Sequence, residues 1–450
     1  MSGFKLYSLP LLSIILLLVL SLSWQSLTQT HATVDNNEPI VHDPNLKVEI
    51  VSRGLTTPTG MALLAPDDIL VLEKNQGTVE RIKNGTILSE PLLDVPVATQ
   101  SERGMLGIAV EETEKDPRYV FLYYTESGKD GEDFGNDEKP PLNNRLYRYD
   151  LVDNKLINPK LLLDLPVTER ALHNGGVISI GPDNNVYLLS GSGAEDDKDN
   201  PEPSDTKASN IRQGLDPDGR GGILQVTQDG KTVNNSAILG DEHPLDMYYA
   251  YGIRNGFGMD FDPVTGNLWD TENGPRYGDE INLVEPGLNS GWKQVNGLSS
   301  DDEEFNPSNL VDFSGRGKYS DPEFSWSMSV APTALKFLPS NKLGAQYQND
   351  VFVGDFNNGN IYRFELSEDR KQLQLLGSLD DKKADNIDEL RDVIFGQRFG
   401  GIIDLEVGLD GYLYVLSWYQ GGDNCDGGED GDCVPYSSGV EGTIFRISPR

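Results

Sequence analysis

Cysteine is almost missing from this chain. Cys425 and Cys433 are the only two in 450 residues, which excludes a disulfide scaffold and a Cys-based zinc module. Histidine is nearly as scarce, with His31, His42, His173 and His243 making up the full set. Basic residues are heavily outnumbered: 37 Lys+Arg face 72 Asp+Glu, a formal net charge of −35. So acidic a surface repels a phosphate backbone and argues against a nucleic-acid partner. A long apolar stretch is absent too. The main run, Leu11 to Leu20, falls well short of the ~20 apolar residues that span a bilayer. No window of useful length carries helical periodicity.

What is present begins with an address. Lys5 precedes the Leu11–Leu20 run, and polar residues follow from Gln25 to Asn37. That order reads as a secretory signal peptide or an N-terminal anchor over residues 1–32. A linker is expected over 33–45 and a single domain over 46–450. The working location would then be secreted or extracytoplasmic, with no membrane span beyond that possible anchor. In an oxidising compartment Cys425 and Cys433 either close their short loop as a disulfide or remain two thiols.

The body of the chain repeats one loose pattern six times. Each unit has an alternating apolar strand, a turn rich in Asp, Pro or Gly, a second Tyr/Val/Leu strand, and a later strand that often opens with Gly. The first strands begin near residues 62, 107, 177, 258, 334 and 402. Period-two alternation and Gly/Asp/Pro turns predict antiparallel strands, and units of this size predict propeller blades. The expected fold is therefore all-β: a six-bladed β-propeller with antiparallel blades around a central tunnel. LKVEIVSRGL, from Leu46 to Leu55, is expected to join the C-terminal strand and close the ring. Three polar insertions, at 125–143, 191–220 and 297–320, read as loops.

Three segments could carry chemistry. His173 lies in ALHNGGVISIGPD, just before the first strand of unit three, where an imidazole could act as a general base or be merely structural. Arg254 and Asn255 hold the matching place before unit four, and a guanidinium there could stabilise an oxyanion or pair with a surface acid. Equivalent pre-strand positions of successive blades converge on one face, so these residues are expected to meet. The third segment, TENGPRYGDEINLVEPGLNSGW, offers backbone oxygens at Gly274-Pro275 and the carboxylates of Glu272, Asp279 and Glu280. Oxygen donors of this kind suit Ca2+.

HNGG, RNGFGMDF and ENGPRYGDEINLVEPGLNSGW in this order resemble the soluble quinoprotein glucose/sorbosone dehydrogenase family, over about Leu55 to Pro449. The resemblance implies a six-bladed propeller that uses pyrroloquinoline quinone (PQQ) and Ca2+ to oxidise an aldose sugar or a related alcohol or aldehyde, passing electrons to an unidentified acceptor. It implies His173 as the base that takes the hydroxyl proton before hydride passes to the quinone. Arg254 and Asn255 would polarise the quinone oxygens. Gly274 and Pro275, with Asp279 as a further candidate ligand, would hold Ca2+ as a Lewis acid, and Glu102 would face the cofactor. The match is incomplete where basic residues are expected to hold the PQQ carboxylates. The fifth unit offers Asp355, Asn357 and Asn358, and the sixth offers Gly401, Ile402 and Ile403 with Arg398 nearby. Two other readings therefore stay open: a non-catalytic propeller that binds a glycan or protein partner, and a Ca2+-dependent lactonase-type hydrolase.

Overall fold

The computed structural model describes residues 38–111, 117–128, 143–193, 201–233, 237–418 and 441–450. The expected export segment, Cys425 and Cys433 lie outside the described residues. Within them the protein is an all-β propeller. Helix is confined to single 3-10 turns such as Lys207–Ser209 and Glu389–Asp392, and no helix is long and apolar enough to cross a membrane.

The strands form six sheets of four to six strands each. Their first strands are Pro58–Ala65, Met105–Val110, Ile178–Ile180, Gly258–Phe261, Pro332–Phe337 and Ile402–Val407. Each first strand packs against the next, and the sixth returns to the first. Leu46–Leu55 pairs antiparallel with Gly442–Pro449 in the sixth sheet, so the two ends of the domain share one sheet, as its sequence suggests.

Burial explains why the strand patterns differ along each sheet. The second strands, such as Val186–Ser190, Leu268–Glu272, Val351–Asp355 and Leu413–Ser417, are buried at every position. Their two faces meet the neighbouring sheets on either side, so alternation gives way to continuous apolar runs. The core is divided accordingly: each of six clusters fills one cleft between neighbouring sheets. Phe121, Leu146, Leu188 and Leu224 occupy the second cleft, and Met61, Val71, Leu416 and Ile444 the one between the last sheet and the first.

One boundary differs from expectation. The compact unit begins at Pro39, and Ile40–Val41 pairs with Gly396 and Gln397 at the edge of the fifth sheet. Residues 40–41 are thus strand and not linker, because two β-branched residues cover an edge that would otherwise leave its backbone groups open.

Residues 201–220 of the second polar insertion are also tied down. Lys293 Nζ lies 3.0 Å from Asp205 Oδ2, both side chains are fully buried, and the Glu202 amide donates to the same oxygen at 2.8 Å. Asn210 and Asn289 exchange amide bonds of 2.8 Å beside them. Removing one member of a buried pair leaves an uncompensated charge. Lys293→Ala is expected to lower unfolding free energy by about 3–5 kcal/mol, read from chemical denaturation. A loss within ~1 kcal/mol, the range of an exposed pair, would mean that this loop is not anchored there.

Candidate active site

The ends of the inner strands open onto one central cavity of about 520 Å3, well within the ~300–1,000 Å3 of cofactor and ligand pockets. Two sets of positions form its rim. One set precedes the first strands: Ser101 and Glu102, His173, Arg254 and Asn255, Ser329 and Ala331. The other directly follows the second strands: Lys74, Asn273, Phe356 and Trp418. The first set was legible from the repeat. The second escaped the sequence reading, although each member comes one residue after a buried polar strand end: Glu73, Glu272, Asp355 or Ser417.

His173, Glu102, Arg254, Asn255 and Gly274 all line this cavity, so the expected convergence across some 80 residues of sequence is observed. Glu102 connects them. Its Oε2 accepts from the His173 amide at 2.6 Å and from Asn255 Nδ2 at 3.2 Å. Asn255 Oδ1 in turn accepts from the Gly175 amide at 3.0 Å. This clamp holds His173 at φ +54°, a left-handed conformation that costs a non-glycine residue about 1 kcal/mol or more. The double glycine has a packing reason: a Cβ on Gly176 would sit 2.8 Å from Leu106 Cβ. Burial raises the Glu102 carboxyl above its ordinary range, opposed by the His173 amide and by the Arg254 charge.

Arg254 is positioned from three directions. Its amide donates to Glu272 Oε1 at 2.5 Å, its Nη1 donates to the Asn273 carbonyl at 2.8 Å, and its guanidinium lies 5.5 Å from the Trp292 ring centroid. Burial pushes Glu272 up to about 7, against the pull of the Arg254 amide and Ser290. Behind it, Glu280 and Asp270 are raised well above the carboxylate range by burial, and then by the charge of Glu272. These acids are sealed behind the cavity wall and none of them lines it.

Asp279 does different work from the metal ligand expected of it. Its Oδ1 accepts from the Gly274 amide at 2.8 Å, and its Oδ2 accepts from the Val330 and Ala331 amides at 2.7 and 2.8 Å. The carboxylate points into two loops, and Asp279 is not on the cavity wall. Gly274 is on that wall and Pro275 is not. Among the described residues, no three His, Cys, Asp or Glu side chains are arranged to hold a metal, so a cation here would rely on carbonyl oxygens.

The wall built by the fifth and sixth sheets is neutral at the rim. Ala331, Thr333, Phe356, Asn357, Ile403 and Trp418 face the cavity there. Deeper, roughly 13 Å along the inner strand at ~3.3 Å per residue, Lys336 lies 2.9 Å from Glu406 and 3.6 Å from Asp260. Those acids neutralise it.

Comparison with known proteins follows the same lines. Residues 55–424 match the model of the family described as Glucose / Sorbosone dehydrogenase. Aldose sugar dehydrogenase YliI of Escherichia coli is 25% identical, covering 83% of this chain and 90% of that protein. Quinoprotein glucose dehydrogenase B of Acinetobacter calcoaceticus is 26% identical, over 57% of this chain and 54% of that protein. In structure, the PQQ-bound aldose sugar dehydrogenase of Streptomyces coelicolor superposes with a TM-score of 0.59 at 22% identity, over 92% of this chain and all of that one.

Asp355 gives the site a pH signature. Its Oδ1 accepts from the Asn358 and Asn360 amides, and its Oδ2 accepts from the Tyr362 hydroxyl at 2.5 Å. Burial raises it from 3.8 to about 6. Because the folded state keeps this proton longer than the unfolded state, stability is lost as pH rises from 3.8 towards 6. Asp355→Asn should remove on the order of 3 kcal/mol of that decline, read by denaturation at pH 4 and pH 7. An identical slope in both proteins would refute the assignment.

Proposed function

Since the chain belongs to the glucose/sorbosone dehydrogenase family, we propose that it is an exported oxidoreductase of aldose sugars, or of related alcohols or aldehydes, that works with PQQ and Ca2+. Each of the six sheets is then one blade of a six-bladed ring. The observation that carries this reading is the arrival of His173, Arg254, Asn255 and the Gly274 loop at one cavity, bound together by Glu102 and Asp279.

The residues fit the redox end of such a cofactor. A fixed guanidinium, an amide side chain and a backbone-oxygen loop border one side of a cavity large enough for a multi-ring molecule. When bound, PQQ supplies the two-electron acceptor and Ca2+ a Lewis acid. The chain's own tasks are positional and acid–base. His173 Nδ1 is buried, so the hydroxyl proton of the substrate would be taken at Nε2. Arg254, held by Glu272 and Asn273, presents a pre-set positive charge to oxygen atoms that gain electron density, and such preorganisation needs no rearrangement during reaction. Gly274, which lines the cavity, would offer its carbonyl oxygen to the calcium, with Asp279 holding its loop in place.

The neutral wall of Asn357 and Ile403 supports a second reading, a ring that binds a glycan or protein partner without turning over. A reconstitution assay separates the two. Purified protein given PQQ, Ca2+, a panel of aldoses and a redox dye is expected to reduce the dye. His173→Ala should lower kcat by about 10^2–10^4-fold while leaving PQQ absorbance binding intact. Failure of the wild-type protein to reduce dye with any aldose, despite bound PQQ, would favour the non-catalytic ring.

A further inference from the structure

The arc of the cavity mouth built by the fifth and sixth sheets limits what can rest against it. Asn357, Ile403 and Trp418 line it without charge, so an anionic group lying there would lose water with no cation to offset the loss. A neutral sugar meets no such penalty. Its hydroxyls ring the edge of a pyranose, and the C–H bonds between them leave its faces partly apolar.

Trp418 is the largest group on this arc. Among the described tryptophans, Trp269, Trp292 and Trp326 are less than 2% exposed and belong to the core. Trp418 is only half-buried, and it lines the cavity. The backbone fixes where it stands. It directly follows the strand Leu413–Ser417, whose last residue pairs with Ile402 on one side and Thr443 on the other. The Trp418 amide donates to the Gly401 carbonyl at 2.8 Å, and the Ser417 hydroxyl donates to the Phe399 carbonyl at 2.6 Å. An indole with two side-chain torsions on so fixed a backbone has little freedom left to lose when a ligand covers it. Phe356, the matching residue after the second strand of the fifth sheet, lines the same cavity. The first strands pack in order around the circuit, so the sixth sheet lies three steps from the third in either direction. Trp418 therefore stands across the mouth from His173.

We propose that Trp418 is a substrate-binding residue: an aldose lays a C–H face of its pyranose ring on the indole, and the sugar bridges the mouth towards His173. The inference rests on the aldose reading above and adds a residue and a substrate class to it, cyclic aldoses in preference to short acyclic ones. The face of an indole carries the negative part of the ring quadrupole. It attracts the weakly positive hydrogens of a sugar face and repels a carboxylate, so the sign of the interaction assigns this arc to the sugar and not to an anionic cofactor edge.

Methyl glucopyranoside and methyl galactopyranoside have no C1 hydroxyl and so bind without being oxidised. Calorimetric titration with them, in the presence and absence of PQQ and Ca2+, tests the inference for wild type, Trp418→Ala and Trp418→Phe, with thermal melting as a check on folding. Trp418→Ala should weaken glycoside binding by about threefold to tenfold, as expected for loss of an aromatic contact, and Trp418→Phe should recover most of it. In the dye assay the KM for an aldose should rise by the same factor, with a smaller change in kcat. Unchanged glycoside binding by folded Trp418→Ala overturns the inference. So does a loss confined to PQQ affinity, which would make the indole a cofactor contact, and so does a wild-type protein that binds neither glycoside. Glycoside binding that depends on Trp418 in a protein that reduces no dye supports the inference and overturns the redox reading alone.

Discussion

Side-chain to main-chain hydrogen bonds at the joints between sheets are the constraint on which the site depends. Thr59 Oγ1 donates to the Met105 carbonyl between the first two sheets, and the Tyr123 hydroxyl donates to the Asn174 carbonyl at the next joint. Asn255, Asp279 and Thr333 make the following three, and Asp404 accepts from the Met61 amide to close the circuit. Apolar packing in the clefts supplies most of the stabilisation, but it is non-directional. These bonds have direction. They set where each pre-strand loop stands relative to its neighbour, and so where His173 meets Arg254.

The cost of that precision is buried charge. Glu102, Glu272, Asp279, Asp355 and Asp404 all have carboxyls raised above their ordinary values by burial. All of them accept backbone N–H bonds, which offsets part of the desolvation. In a chain already carrying a net charge of −35, each adds repulsion as it ionises. Of these five only Glu102 and Asp404 reach the cavity wall; the others turn their charge to the backbone behind it.

The neutral rim of the fifth and sixth sheets separates this chain from the pattern its motifs resemble. Asn357 and Ile403 line the cavity where basic residues were expected, and Phe356 and Trp418 add flat apolar surface beside them. His173, Arg254 and Asn255 stand together on one side of the cavity, and the rim facing them from the fifth and sixth sheets carries Asn357, Ile403 and Trp418.

The sequence by itself determined the architecture and one arc of the site. Period-two strands repeated six times, with Gly and Asp turns between them, can bury their faces only against copies of themselves. That repetition also made the pre-strand positions of His173, Arg254 and Asn255 legible as neighbours. Tertiary structure decided the rest. Whether Asp279 faces a cavity or three amides depends on a loop 50 residues away. Ile40–Val41 became strand because an edge of the fifth sheet was free to accept it. Local pattern reports which face of a strand is buried. It carries no record of what stands opposite that face, and Glu102, Asn255 and Asp279 each find their partners in the neighbouring sheet's loop.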